Sequence, residues 1–292
     1  QKLRFLWWSM RSISNLRFEL FIRRLIWLLR MPVNTPDAFQ GIDRLYGDHA
    51  YQRLSKKRVY VVGIGGVGSW VVESLARSGL GEIRLADLDD LCVTNTNRQI
   101  HALRTTIGQS KIEVMASRCR EINPEIQVRC DHAFVTDQTV EALITPDLDL
   151  VIDCGDNQMA KSALIAHCRR IQIPIITIGA AGGRIDPSKV RVRDLAKTEG
   201  DALLASVRQT LRNRYGFSRT PTKRFSVSAV YSDEQTRYRQ ADGSIGQQKP
   251  GSGASRLDCA GSLGAATHIT AVFAFHATAK AIERLLSSPP QS

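Results

Sequence analysis

Short, mostly apolar runs alternate with stretches of helical spacing between residues 59 and 180. The run at 59–62 predicts a buried parallel strand, and further strands are predicted over 82–86, 126–130, 148–152 and 174–178. Between them, Val71, Val72, Leu75 and Ala76 recur on one side of a predicted helix over 68–78, which Gly79-Leu80-Gly81 ends. Further helices are predicted over 111–121, 138–144 and 162–170. This alternation predicts an α/β fold, Rossmann-like and doubly wound, with a mostly parallel sheet and helices on both faces. After residue 197 the texture changes. A helix is predicted over 198–215 and a strand over 224–231, then a polar loop rich in Gly, Ser and Gln over 232–258. An Ala-rich helix over 263–286 closes the chain. The resulting division is a basic extension over 1–36, a core over 37–197 with a short helical lead-in, and a less regular C-terminal part over 198–292.

Charge changes the picture at one end. The net charge of the 292 residues is +12, and seven basic residues against Glu19 in the first thirty supply half of it. That segment also carries Trp7, Trp8 and Trp27. Arg23 and Arg24 interrupt its only apolar stretch, which argues against a signal peptide. It reads as an extension upstream of Met31 and outside the fold, with a membrane-surface helix as the alternative. The remaining chain is still basic, which suits an anionic partner such as nucleic acid or nucleotide. The six cysteines form no disulfide framework and no paired-cysteine zinc site, and they read as reduced cytoplasmic thiols. The closing helix contains His268, His276, Lys280, Glu283 and Arg284 and is too polar for a membrane span.

The candidate chemistry starts at Gly63, Gly65, Gly66 and Gly68, between the first strand and its helix. Such a loop lets backbone N–H groups approach phosphate, and Asp87 at the next strand end can accept from ribose hydroxyls. Both features fit a nicotinamide enzyme equally well. Asn95, Arg98 and Lys111 follow, adding an amide and two cations of the kind a triphosphate requires. Asp156 is placed to hold Mg2+, which favours one or two carboxylates together with phosphates. Each has a plainer reading: a surface ion pair for Arg98, a solvated helix position for Lys111, a helix cap for Asp156.

Over residues 41–197 these motifs resemble the ubiquitin-activating-type adenylating enzymes, which include molybdopterin- and thiamine-pathway members. The resemblance implies that Gly66, Asp87, Asn95, Arg98, Lys111 and Asp156 bind MgATP. It further implies a homodimer in which Arg44, within Asp43-Arg44-Leu45-Tyr46-Gly47, reaches the partner's nucleotide in trans. Residues 43–47, 92–104, 179–187 and 256–267 resemble the tRNA threonylcarbamoyladenosine dehydratase branch more narrowly. That likeness implies ATP-dependent adenylation and cyclisation of a carboxylate on tRNA, with tRNA as partner. Adenylation of a small carrier protein's C-terminus for sulfur transfer, with a sulfur-transfer partner protein, is the alternative.

Cys259, beside Arg256 and ahead of a helix, is the candidate thioester nucleophile; the plainer reading is a packed thiol. Cys92 and Cys154 read as core, and His101 and His167 as structural. The segment 179–183 is a candidate wall for the adenine or acyl pocket, or else a simple turn. Arg208, Arg212, Arg214, Arg219, Lys223 and Arg224, with Tyr215 and Phe217, form a candidate RNA grip; a solvated charged face is the equal alternative.

Overall fold

The structure is a computed structural model, and it describes residues 35–240, 242–249 and 263–287. Seven strands form one sheet in the order β3-β2-β1-β4-β5-β7-β6. They are β1 (Arg58–Val62), β2 (Glu82–Ala86), β3 (Gln127–Asp131), β4 (Leu150–Asp153), β5 (Ile175–Ile178), β6 (Val190–Asp194) and β7 (Ser228–Ser232). All neighbours are parallel except β6, which runs antiparallel to β7 at the edge. Val59, Val61, Ile83, Leu85, Leu150 and Ile152 are fully buried, the expectation for strands covered on both faces.

The lead-in comprises three short helices, α1 (Thr35–Ala38), α2 (Gln40–Tyr46) and α3 (Ala50–Leu54). On one face of the sheet lie α4 (Gly68–Arg77) and α5 (Lys111–Ile122), which pack on each other. Val71, Val72, Leu75 and Ala76 of α4 point inward, as their spacing predicts. Gly79, in the left-handed region at φ 76°, follows that helix. The opposite core forms around α6 (Val140–Leu143), α7 (Gln158–Arg170) and α8 (Ala202–Arg214).

The C-terminal part joins this architecture directly. Its strand β7 is inserted between β5 and β6, and its last helix, α9 (Thr267–Ser287), packs across α4 and beneath β5, β6 and β7. The segment read as a loop over 232–258 carries, in its described portion, a small antiparallel pair of β8 (Tyr238–Arg239) and β9 (Ile245–Gly246). Residues 1–34, including the basic Trp-containing segment, lie outside the described residues. Among the described residues no helix is long and apolar enough to cross a membrane.

Candidate nucleotide cleft

The carboxyl ends of β1, β2 and β4 are level: Val62 pairs with Ala86 on one side and with Asp153 on the other. The strand order reverses between β1 and β4, and open α/β sheets place ligands at such a switch point. A cleft of about 740 Å³ opens there, lined by Gly63, Asp87, Asp89 and Asp156 among others.

The glycine loop is a cradle shaped by close approach. A Cβ on Gly68 would stand 1.9 Å from the Gly63 carbonyl oxygen, so any side chain there would force the turn open. Gly63 adopts φ 83° against the backbone of Gly155. Gly65 faces open space, and Gly66 lies under the Arg98 methylenes, 3.3 Å from where its Cβ would be. The Asp87 carboxylate accepts from Ile64 N at 2.7 Å and from Asp89 N at 2.9 Å, tying the end of β2 to the loop.

Two cations adjoin the cradle. Lys111 is buried, and its Nζ lies 2.6 Å from the Asp89 carboxylate, which itself lines the cleft. A solvated position is therefore not what Lys111 occupies. Arg98 is half-buried; its guanidinium donates to Thr94 O at 2.7 Å and to Asn97 Oδ1 at 3.0 Å. Among the described residues no carboxylate pairs with it. Asn95 supports this segment from within, its Oδ1 accepting from Cys92 N at 3.0 Å. The start of α9 pins the same segment, since Asn97 donates to Ala265 O and accepts from Thr267, while Trp70 donates to Arg98 O.

Asp156 is exposed at the cleft. It is not the cap of α7. That role falls to Asn157, whose Oδ1 accepts from Met159 N and Ala160 N. Arg44 stands on the exposed side of α2, donating to Gln40, and does not line this chain's own cleft. Cys259 lies outside the described residues, as does most of the segment around it. Cys92 is exposed, contrary to its reading as core. Burial raises the Cys154 thiol pKa strongly, which keeps it an unreactive thiol.

Two features of the site were not anticipated. Beneath the loop carrying Asp156 lies a buried ion pair, Lys161 Nζ to Asp153 Oδ2 at 2.9 Å. Lys161 also donates to Gly155 O at 2.8 Å, and Thr177 Oγ1 donates to Asp153 Oδ2 at 2.7 Å. A lysine one residue ahead of a predicted apolar helix face was the available signal. The second feature is an apolar wall of Phe134, Val135 and Met159 on the cleft, with Phe134 and Met159 largely open to solvent. The residues 133–135 directly after β3 were its only trace in the sequence.

Residues 40–290 match the ThiF family. The chain belongs to that family. Within the ThiF family, a tRNA threonylcarbamoyladenosine dehydratase of Escherichia coli (strain K12) is 47% identical over 250 residues, covering 85% of this chain and 93% of the relative. The dehydratase of Haemophilus influenzae is 45% identical over 253 residues, covering 87% and 95%. A solved structure described as the E. coli dehydratase in complex with ATP superposes with a TM-score of 0.76 at 44% identity, covering 86% of this chain and 95% of that one.

Proposed function

We propose that this ThiF-family chain is an ATP-dependent dehydratase that adenylates the carboxylate of threonylcarbamoyladenosine in tRNA and closes it into a ring. The observation that carries this reading is the near full-length likeness to dehydratases of that name, one of them solved with ATP. The cleft supports it residue by residue. Phe134, Val135 and Met159 offer a purine an apolar face. Asp87 lines the cleft and would accept from ribose hydroxyls, and the glycine turn beside it, with Gly65 facing open space, would let phosphates approach the backbone.

A free carboxylate resists attack because it is charged and resonance-stabilised. Its oxygen attacks the α-phosphorus, the bond to the bridging oxygen breaks, and pyrophosphate leaves with the negative charge. Arg98 and Lys111 are the cations that meet this developing charge. Asn95 holds the segment that carries Arg98. The substrate's own amide group then attacks the activated carbonyl and expels AMP, a net loss of water. Arg44 reaches the partner subunit's nucleotide in a homodimer.

The donor set also fits Mg2+. Among the described residues no three His, Cys, Asp or Glu side chains converge on one point. Asp156 is a single open carboxylate at the cleft, as suits an ion that takes most of its ligands from water and phosphate. When bound, Mg2+ would neutralise phosphate charge and orient the leaving group. In the longer route the Cys259 thiolate would attack the acyl-adenylate and expel AMP, forming a thioester from which the amide group would release the thiolate as the ring closes.

The test is incubation of the protein with ATP and tRNA bearing the modified adenosine, read by mass. We expect loss of one water with release of pyrophosphate and AMP. No mass change on tRNA, with pyrophosphate released only when a carrier protein is supplied, would sink the reading. D156N should abolish pyrophosphate release, and C259S with unchanged turnover would remove that thiol from the chemistry.

A further inference from the structure

The sequence places six basic residues and two aromatics in a candidate RNA grip over 208–224, but the fold uses most of them internally. Arg208 bonds Thr198, and Arg219 bonds Asn213 at 2.7 Å. Arg212 lies 5.5 Å over the Phe225 ring and donates to Ser218 O. Tyr215 donates to Asp137 at 2.8 Å, and Phe217 packs edge-on against Phe225. Each of these side chains already has a partner within the chain. Arg214, Lys223 and Arg224 remain, all exposed, and of these Lys223 and Arg224 line the grooves described next.

Lys223 lines one of two open grooves and Arg224 lines both. One, of about 840 Å³, runs along α7 and the end of α8 and is lined by Arg169, Arg170, Lys223 and Arg224. The other, of about 630 Å³, lies between edge strand β6 and the second half of α9 and is lined by Arg193, Arg224, Lys280 and Arg284. Arg224 lines both, so the grooves form one track. Glu141 pairs with Arg170, and Glu283 with Lys280 at 2.8 Å. Arg169, Arg193, Lys223 and Arg224 have no side-chain partner among the described residues and are exposed.

Four uncompensated cations along a concave track fit a polyanion, whose regularly spaced phosphates each exchange a bound counterion for a fixed charge. Asp137 connects the track to the site, because it lines both the first groove and the nucleotide cleft. From there the track runs to the amino end of β7, away from the cleft at the carboxyl ends.

From this geometry, and resting on the dehydratase reading, we propose that the track holds the sugar–phosphate backbone of the substrate tRNA away from the modified nucleotide. It is made of Arg169, Arg193, Lys223 and Arg224. Contacts remote from the reacting atoms bind ground and transition states alike, so they set KM and leave kcat alone.

The test compares the wild-type protein with K223Q/R224Q and with R169Q/R193Q/K223Q/R224Q, using an unmodified tRNA transcript for binding and modified tRNA for turnover. The slope of log K against log salt should flatten by about 2 in the double variant and by between about 3 and 4 in the quadruple, close to one per lost phosphate contact. KM for tRNA should rise roughly tenfold or more in the double variant, with kcat and ATP affinity unchanged. K223R/R224K should restore the slope, which misfolding or a merely structural role would not allow. An unchanged slope and KM in a variant that still binds ATP overturns the track. The transcript reports on the track even if no dehydration occurs, so the two readings fail separately.

Discussion

At the switch point between β1 and β4, Lys111 and Lys161 are buried and each is paired with an aspartate of the same chain. At the other edge of the sheet, Arg169, Arg193, Lys223 and Arg224 stand exposed with no side-chain partner among the described residues. The first region spends its charges on holding a loop in one shape, in surroundings where an unmatched charge is costly. The second leaves its charges to solvent, where each costs little and remains available to something outside the chain. Substitution should therefore damage stability in one region and affinity in the other.

The sharpest break of this contrast is K161M. It leaves the Asp153 carboxylate buried without its partner, and we expect a loss of about 3–5 kcal/mol in urea denaturation. D153N/K161M should recover part of that loss. A cost below about 1 kcal/mol for K161M would mean the pair is not what fixes the loop.

Acid should act on the same region. Burial, with the Lys111 ammonium nearby, pushes His101 down from its ordinary 6.5 to about 4, so the folded chain keeps this imidazole neutral. Between those values the unfolded chain binds the proton and the folded chain does not. Stability is then full above pH 6.5 and falls as pH drops toward 4, by at most about 3 kcal/mol from this residue. H101Q should flatten that part of the stability profile.

G68A drives a Cβ into the Gly63 carbonyl. We expect about 2 kcal/mol of destabilisation, as overpacking typically costs, together with weakened ATP binding measured by calorimetry. The smallest stability effect belongs to K223Q/R224Q, within about 0.5 kcal/mol of wild type because both positions are exposed, even as tRNA affinity falls.

The first region was the more legible in the sequence, for a physical reason. The apolar run of β1 leads directly into a glycine turn that admits few other residues, and β2 ends on Asp87, so residues 59–87 announce both element and site. Edge strand β6 is hard to read in the sequence because Val-Arg-Val-Arg-Asp has only one face covered and follows a turn-like Asp-Pro-Ser-Lys stretch. Lys161 is not legible as a helix residue because α7 begins at Gln158, not at residue 162; the cap at Asn157 carries the first turn through polar residues. Likewise α8 starts at Ala202, where Asp201 accepts from Leu204 N, later than residue 198. The RNA grip was only half legible. Spacing along the chain marks which residues are basic, but not which of them the fold has already paired, and Arg169 and Arg193 join the track from distant elements.

The position of α9 has a consequence for synthesis. The inward residues of α4 and the undersides of β5 and β7 are covered by Phe273, Ala274, Ala277 and Ala281, all fully buried. That helix is the last described element to leave the ribosome, some two hundred residues after α4. Until it emerges, the nascent chain carries an uncovered apolar face and an Asn97–Arg98 segment without its clamp. A growing chain in that state is a client for chaperones and prone to aggregation. Nucleotide binding during translation should therefore wait for the final helix.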